Sequence, residues 1–471
     1  MSQEWVAIIA LIALFVVGTV LPINMGALGF VAAWLVGMYS LHLDEKEIIG
    51  GISGDLILTL VGVTYLFAIA KNNGTVDLIV SGAVRLVGGR VALIPWVMFF
   101  VTALLTAIGA ASPAACAIIG PIALGFAGRH RISPLLMGMF VVHGAQAGGF
   151  SPISIYGTIT NSVMKDNNLP LSEGTVFLSS LFVNLAIAVV LFFVLGGRSL
   201  LSRRIEAGGE AGLEDGPRAA DAGPTGTSPR IVNDGSRRTA VAEPSTAPAG
   251  TATAGTGTTT AVKTPVAPST GGVGADQVIT LIAFVAVAVI ALVFDKNIGF
   301  TAITAAVLLT ALFPKAQKGA VSQVAWATVL LVAGVSTFAA ILEAAGAPEY
   351  VGGWAAGLGA AALGALILCY VGGVVSAFAS STALLPIIIP IAVPLIQGGG
   401  ISAVALVAAL AVASTIVDVS PFSTNGALMV ANRPDTIAEE TFYKQILTYS
   451  GIVVVVGPLL VWAAIVLPSS F

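Results

Sequence analysis

Hydrophobic and polar positions alternate along this chain in long blocks. Apolar runs recur at about 18 residues or more, the length a helix needs to cross hydrocarbon, and the period-two alternation of a membrane β-barrel strand is missing. The runs predict spans near 5–23, 25–42 and 55–71, then a short amphipathic stretch near 75–88. A long apolar region at 91–127 is broken at 109–113, one at 133–165 is interrupted at 148–154, and a last span covers 175–196. The same order then returns as 277–294, 298–314, 326–342, a short stretch at 349–356, a broken 358–396, an interrupted 401–431, and 446–467. The broken regions read as hairpins entering and leaving by one face or as two full crossings; the parity is the same either way.

Composition sharpens the class. Of 471 residues, 57% are hydrophobic and 9% charged, with a mean hydropathy of +0.99. A soluble domain carries about 25% charged residues, so this chain reads as an all-α polytopic membrane protein. The net charge of −3 and the lack of a large basic block predict no nucleic-acid partner. Cys116 and Cys369 lie in apolar segments and read as small buried hydrophobes. Three histidines without clustered Cys/His spacing predict no metal enzyme and no cofactor. The first run follows Glu4 without a basic leader or a small-residue cleavage site, so it reads as a retained span. Residues 205–275 are rich in Gly, Ala, Thr, Pro and Ser, and such composition predicts a disordered linker.

The two hydrophobic halves resemble each other. Asn24-Met25-Gly26 recurs as Asn297-Ile298-Gly299, an offset of 273. Gly62-Val63-Thr64 recurs as Gly334-Val335-Ser336 at 272. Ala111-Ser112-Pro113-Ala114, leading to Pro121, recurs as Ser380-Ser381-Thr382-Ala383, leading to Pro390, at 269. Ser151-Pro152-Ile153-Ser154 recurs as Ser420-Pro421-Phe422-Ser423, also at 269. Four matches in order at nearly constant offset predict an internal duplication.

Five crossings plus a hairpin make an odd number per half, so the second half is expected to enter the membrane inverted. With both termini outside and the linker in the cytoplasm, seventeen basic residues fall inside and only Lys46, Lys165 and Lys296 outside. That is the bias of the positive-inside rule, and it persists at twelve to three without the linker.

Unpaired backbone at membrane depth is tolerated only against protein or a water-filled cavity. Paired interruptions in two inverted halves point to a transport site. They fall at 110–114, 148–154, 379–383 and 418–425. Ser112, Ser151, Ser154, Ser380, Ser381, Thr382, Ser420, Ser423, Thr424 and Asn425 supply oxygens suited to a small cation. Helix N-termini starting at the breaks favour an anion such as a carboxylate. Asp418 is the carboxylate inside an interrupted span, able to ligate a cation, carry a proton or hydrogen-bond backbone N–H groups. His143, one turn before a break, reads as a structural hydrogen-bonding residue or a coupling group. No Arg or Lys stands at a break, so anion recognition is expected to rest on dipoles, hydroxyls, amides and a co-bound cation.

At these residues the chain resembles the ion transporter superfamily, which includes the divalent anion–sodium symporters, and within it the MatC-type malonate/dicarboxylate carriers. The symporters carry Ser-Asn-Thr and then Ala at each hairpin tip; here Ala111-Ser112-Pro113-Ala114 and Ser380-Ser381-Thr382-Ala383 stand there, without the Asn. The Gly-Thr-rich loop is similar at Gly148-Gly149 through Gly157-Thr158 to Asn161, and its partner at Ser423-Thr424-Asn425.

The resemblance implies an elevator mechanism in which a transport domain slides against a scaffold. The first repeat would be 1–204 (scaffold about 1–88, transport elements about 89–196). The second would be 276–471 (scaffold about 276–357, transport elements about 358–471). It also implies Na+ sites pairing each tip with its neighbouring loop, drawn from Ser112, Gly149, Ser151, Asn161, Ser380, Ser381, Asp418 and Ser420. A dicarboxylate would sit between the tips, near Ser112, Ser154, Thr158, Ser381, Thr382, Ser423, Thr424 and Asn425. Asp418 and His143 are candidates for proton coupling. A bacterial-type inner membrane is the expected location, and a homodimer through the scaffold is the family's habit.

The resulting expectation is a Na+-coupled symporter of a small dicarboxylate such as malonate. A cation/proton antiporter, with Asp418 as proton carrier, and a proton-coupled tricarboxylate carrier are the alternatives. An intramembrane enzyme lacks a pair of catalytic aspartates or a zinc motif, a channel suits closed hairpins less well, and no Walker-type loop supports ATP drive.

Overall fold

The first apolar blocks fold as α1 (Gln3–Val20) and α2 (Met25–Tyr39), the second started by Asn24, whose Oδ1 accepts the Gly26 N–H at 2.8 Å. A short helix that hydropathy did not predict follows, α3 (Glu45–Gly50). Its cause is local: Asp44 and Glu47 form a reciprocal capping box, each bond 2.8 Å. Then come α4 (Gly54–Asn72) and the amphipathic α5 (Thr75–Arg85). The long broken region resolves into α6 (Leu93–Ala107) and α7 (Ser112–Arg129). The interrupted span resolves into α8 (Pro134–Gly148) and α9 (Ile155–Asp166), and α10 (Glu173–Val194) closes the half.

The order repeats as α11 (Ala275–Phe294), α12 (Ile298–Leu312), α13 (Trp326–Ala344), α14 (Ala347–Ala356), α15 (Ala361–Phe378), α16 (Ser381–Gln397), α17 (Ala403–Ile416), α18 (Thr424–Ala431) and α19 (Glu439–Val461). Among the described helices only α3 lacks a counterpart; two short 3-10 turns, Pro314–Gln317 and Val321–Gln323, stand in its place. The last helix begins seven residues before the expected 446, because its polar first turns are held by exposed pairs such as Lys444–Glu440 at 2.7 Å. Residues 2–470 of this computed structural model are described, apart from 22, 86, 87, 89, 204–272, 295, 357–360 and 379. The linker expected at 205–275 therefore lies, up to residue 272, outside the described residues.

Among the described residues, six helices are long and apolar enough to cross a membrane: α1, α4, α7, α10, α13 and α19. α6, with 15 residues, is about 22 Å long, short of a hydrocarbon core about 30 Å thick. Cys116 and Cys369 are buried and free, as their apolar neighbours suggested.

The duplicated glycine motifs turn out to face each other across the two halves. α2 packs on α13, and α12 packs on α4. At the first crossing Gly26 lies on the Leu330 carbonyl, and Gly334 lies on the Gly26 carbonyl. At the second, a side chain at Gly62 would come within 2.6 Å of the Gly299 carbonyl oxygen, and one at Gly299 within 2.7 Å of the Thr59 nitrogen. Small residues let helix backbones approach closely in a bilayer, where packing rather than water expulsion drives association. Gly334→Ala is therefore expected to lower the thermal midpoint of the detergent-solubilised protein by several degrees, an overpacking cost of about 1–3 kcal/mol. Gly82→Ala on α5, where an added Cβ meets nothing within 4 Å, is the control. Equal midpoints for the two variants would sink this account of the crossing.

The likeness of the halves breaks at one place. α16 packs against α13 and α14, and α9 against α4. Their counterparts α7 and α18 pack on each other but show no comparable packing on α4, α5 or α13. Between α18 and α13 there is instead an opening.

Candidate functional site

That opening is a cavity of about 390 Å3. All four interruptions reach it: Ala110, Ala111, Ser112 and Pro113 before α7; Ser380 and Thr382 at the start of α16; Gly149, Ile155 and Tyr156 around the α8–α9 loop; and Asp418, Phe422, Ser423 and Thr424 around the α17–α18 loop. The opposite wall is Asn24 and Met25 of α2 with Ala327, Thr328 and Leu331 of α13. Six helices thus begin at this cavity: α2, α7, α9, α13, α16 and α18. Each N-terminus presents unpaired N–H groups and a partial positive charge of about half a unit. Among the described lining residues, Asp418 is the one charged side chain.

The two loops fold alike because each repeats Ser-Pro-x-Ser-x-x-Gly. Ser154 Oγ reaches the carbonyls of Ser151, at 2.6 Å, and Gly149, while accepting the Gly157 N–H at 3.3 Å. Ser423 Oγ donates to the Ser420 carbonyl at 2.7 Å and accepts the Gly426 N–H at 3.3 Å. In both loops the glycine is seated on the carbonyl of the first serine, where no side chain fits. These serines start α9 and α18 and hold the loop shape; Ser423 also reaches the cavity.

Across the loops, Asn425 ties the halves together. Its Nδ2 donates to Asp418 Oδ2 at 2.8 Å and to Ser112 Oγ at 2.9 Å. The three residues are 0%, 8% and 6% exposed, in the order Asn425, Asp418, Ser112. Asn425 Oδ1 has no partner. On the other side Ser381 Oγ pairs with Ser376 Oγ at 2.7 Å and donates to the Ser414 carbonyl at 3.2 Å, while Ser380 Oγ donates to Thr382 Oγ1 at 3.1 Å. Tyr156 lies against Ser381 and Thr382.

The residues singled out from the sequence therefore fall into three groups. Ser112, Gly149, Ser380, Thr382, Asp418, Ser423 and Thr424 line the cavity. Ser151, Ser154, Thr158, Ser381, Ser420 and Asn425 stand directly behind it, hydrogen-bonded within the tips and loops, with Thr158 Oγ1 on the Pro152 carbonyl at 3.5 Å and Ser420 Oγ accepting the Phe422 N–H at 3.1 Å.

His143 and Asn161 are not among the lining residues. His143 is fully buried between Asn184 Oδ1, 2.8 Å from Nδ1, and Tyr449 Oη, 2.6 Å from Nε2. Asn184 Nδ2 is used on Ser180, so its Oδ1 accepts from Nδ1–H, and Nε2 accepts from the Tyr449 hydroxyl. This chain of bonds joins α8, α10 and α19. Asn161, on α9, has both amide atoms buried without a partner.

Sequence reasoning missed Asn24, Tyr156 and Thr328. Asn24 carried a signal, since it opens a repeated motif; it caps α2 and donates to the Ala327 carbonyl at 3.3 Å. Tyr156 sits at the 269 offset from Asn425 and was hidden by its different chemistry. Thr328 follows an ordinary helix start and carried none.

Two family models match parts of the chain. Residues 1–149 match the family described as the N-terminus of the dicarboxylate carrier protein MatC. Residues 282–469 match the citrate transporter family, CitMHS. No curated protein matches the chain. Both families are transporters, so the chain is a carrier rather than an enzyme, with multiple helices in the membrane. A carrier match in each half, around a cavity built from both, supports an ion transporter superfamily permease that resembles the MatC-type carriers.

Proposed function

We propose that this permease is a secondary carrier that takes a small dicarboxylate, such as malonate or a four-carbon diacid, across the membrane with Na+. The observation that carries this reading is the convergence of six helix N-termini on a cavity whose described lining has a carboxylate and no basic side chain. The N-termini favour an anion, while Asp418 and the surrounding hydroxyl and amide oxygens favour a cation. The family matches, to a dicarboxylate carrier and a citrate transporter, support the carboxylate.

The unequal packing of the halves supports alternating access of the elevator kind. In one hairpin, α15–α16, helix α16 is docked on α13 and α14, while α7 of the equivalent α6–α7 has no comparable packing on α4 or α5. Exchanging those roles closes the present cavity and opens its mirror image. In this reading α1–α5 and α11–α14 form the scaffold, the halves are inverted, and both termini lie outside a bacterial-type inner membrane. The present cavity, bounded by the beginnings of α2 and α13, then faces the cytoplasm.

Uptake of labelled malonate, succinate and citrate into liposomes tests the reading, with an inward Na+ gradient, with K+ in its place, and with a pH gradient alone. Na+-driven accumulation of at least one acid is the expected result. Uptake driven only by the pH gradient moves coupling to a proton. Na+/H+ exchange without uptake of any acid overturns the proposal in favour of an antiporter.

A further inference from the structure

We propose that the chain holds a single coupling cation, at Asp418, Asn425 and Ser112, and that the equivalent position in the other half is closed by the Tyr156 ring. The inference rests on the carrier reading above and departs from the pair of Na+ sites that the family resemblance implies.

The 269-residue offset pairs Ser112 with Ser381, Gly149 with Asp418, and Tyr156 with Asn425. Because the loops share their serine and glycine hydrogen bonds, these pairs occupy equivalent places in equivalent folds. The differences between them are therefore differences of chemistry.

In the Asp418 half, both hydrogens of the Asn425 amide are committed, one to the carboxylate and one to Ser112. The orientation follows from the carboxylate, which accepts and cannot donate when ionised. That leaves Asn425 Oδ1 buried, fully enclosed and unpartnered. A lone acceptor beside an unneutralised carboxylate is costly in a dry site. Among the described lining residues, no Lys, Arg or His offsets it. A carboxylate, an amide oxygen and a hydroxyl are the hard oxygen ligands a small metal cation takes, and one cation satisfies the orphan oxygen and the charge together.

The mirror place has neither need. Gly149 brings no carboxylate, and a Cβ built on it would stand 2.8 Å from Tyr156 Cδ2. The aromatic ring thus fills the space into which an acid at 149 would project. Tyr156 meets Ser381 and Thr382, and the Ser381 hydroxyl is already engaged by Ser376 and the Ser414 carbonyl. With Gly149 in the place of Asp418, no carboxylate there calls for a neutralising cation.

Direct 22Na+ binding to the purified full-length chain, without carboxylate, tests this apart from transport. The wild type is expected to bind one Na+ with a Hill coefficient of about one. Asp418→Asn is expected to weaken binding about tenfold or more, the equivalent of 1.4 kcal/mol, and Gly82→Ala on α5, outside the cavity, to leave it unchanged. Gly149→Asp with Tyr156→Asn transplants the acid and amide opposite Ser381, the second change making room for the first, and is expected to raise the stoichiometry to two. Two Na+ on the wild type, binding untouched by Asp418→Asn, or no Na+ binding overturns the proposal. So does a folded double variant, checked by size-exclusion, that still binds one. If that variant fails to fold, the wild-type stoichiometry and Asp418→Asn decide. One Na+ bound with no carboxylate uptake would sink the carrier reading and leave this site standing. Proton-driven uptake with no Na+ bound would do the reverse.

Discussion

Cysteines at Ile79 and Ile122 are expected to cross-link only when the carrier leaves the arrangement described here, and joining them is expected to bring uptake to background. Ile391 of α16 and Val351 of α14 line one small apolar cavity of about 60 Å3 with Pro348, Ile387 and Pro390. The offsets of 269 and 272 carry that pair onto Ile122 of α7 and Ile79 of α5. In the present state α7 has no comparable packing on α5. If the two halves exchange roles, the Ile79–Ile122 contact forms as the Val351–Ile391 contact is lost. In a background without Cys116 and Cys369, a short bifunctional maleimide should therefore link Val351→Cys to Ile391→Cys readily. It should link Ile79→Cys to Ile122→Cys to a degree that shifts with Na+ and substrate, since a ligand moves a two-state equilibrium by its differential affinity. Either link should stop the cycle, because each holds one hairpin against its neighbour. Failure of the second pair to link under any condition, with uptake intact, would rule out the exchange of roles.

Asn425→Ala is expected to lower uptake about a hundredfold, while Tyr156→Phe, at the equivalent position, changes it by less than about threefold. The alanine removes two donors at once, one to a carboxylate and one to Ser112. Hydrogen bonds to charged groups contribute about 1.5–3 kcal/mol each, and each 1.36 kcal/mol is tenfold in rate. The phenylalanine keeps the ring that packs on Gly149 and removes only a hydroxyl. Initial uptake rates at equal surface amounts of protein check the comparison. Equal losses in the two variants would show that the halves contribute alike, against the asymmetry argued here.

The sequence was most informative where structure is local. Helices α6 and α7 are separated where Gly109 and Pro113 interrupt an apolar run, and Gly109 takes a positive φ of 107° that a side chain would strain. The α8–α9 and α17–α18 loops fall at the two Ser-Pro-x-Ser repeats for the same reason. The short helix α3 escaped notice because its six residues depend on one capping box and carry no apolar period. Of the site, the hydroxyl-rich breaks could be read, and Asn24 at least opened a repeated motif, but Tyr156 and Thr328 could not, because their part in it depends on what faces them.

By itself, then, the sequence determined the membrane class, the repeated motifs and the four breaks. Each follows from the hydropathy of a window or from residues within one turn of the chain. The tertiary structure alone decided that Gly26 meets Gly334 and that Gly62 meets Gly299, so that each repeated motif is completed by a motif of the other half. It alone brought Asn425 to Ser112, 313 residues away, and laid the Tyr156 ring over Gly149. Near-equal halves can pack in more than one way, and which hairpin is docked is settled by the balance of many weak contacts between distant segments. No local pattern encodes that balance.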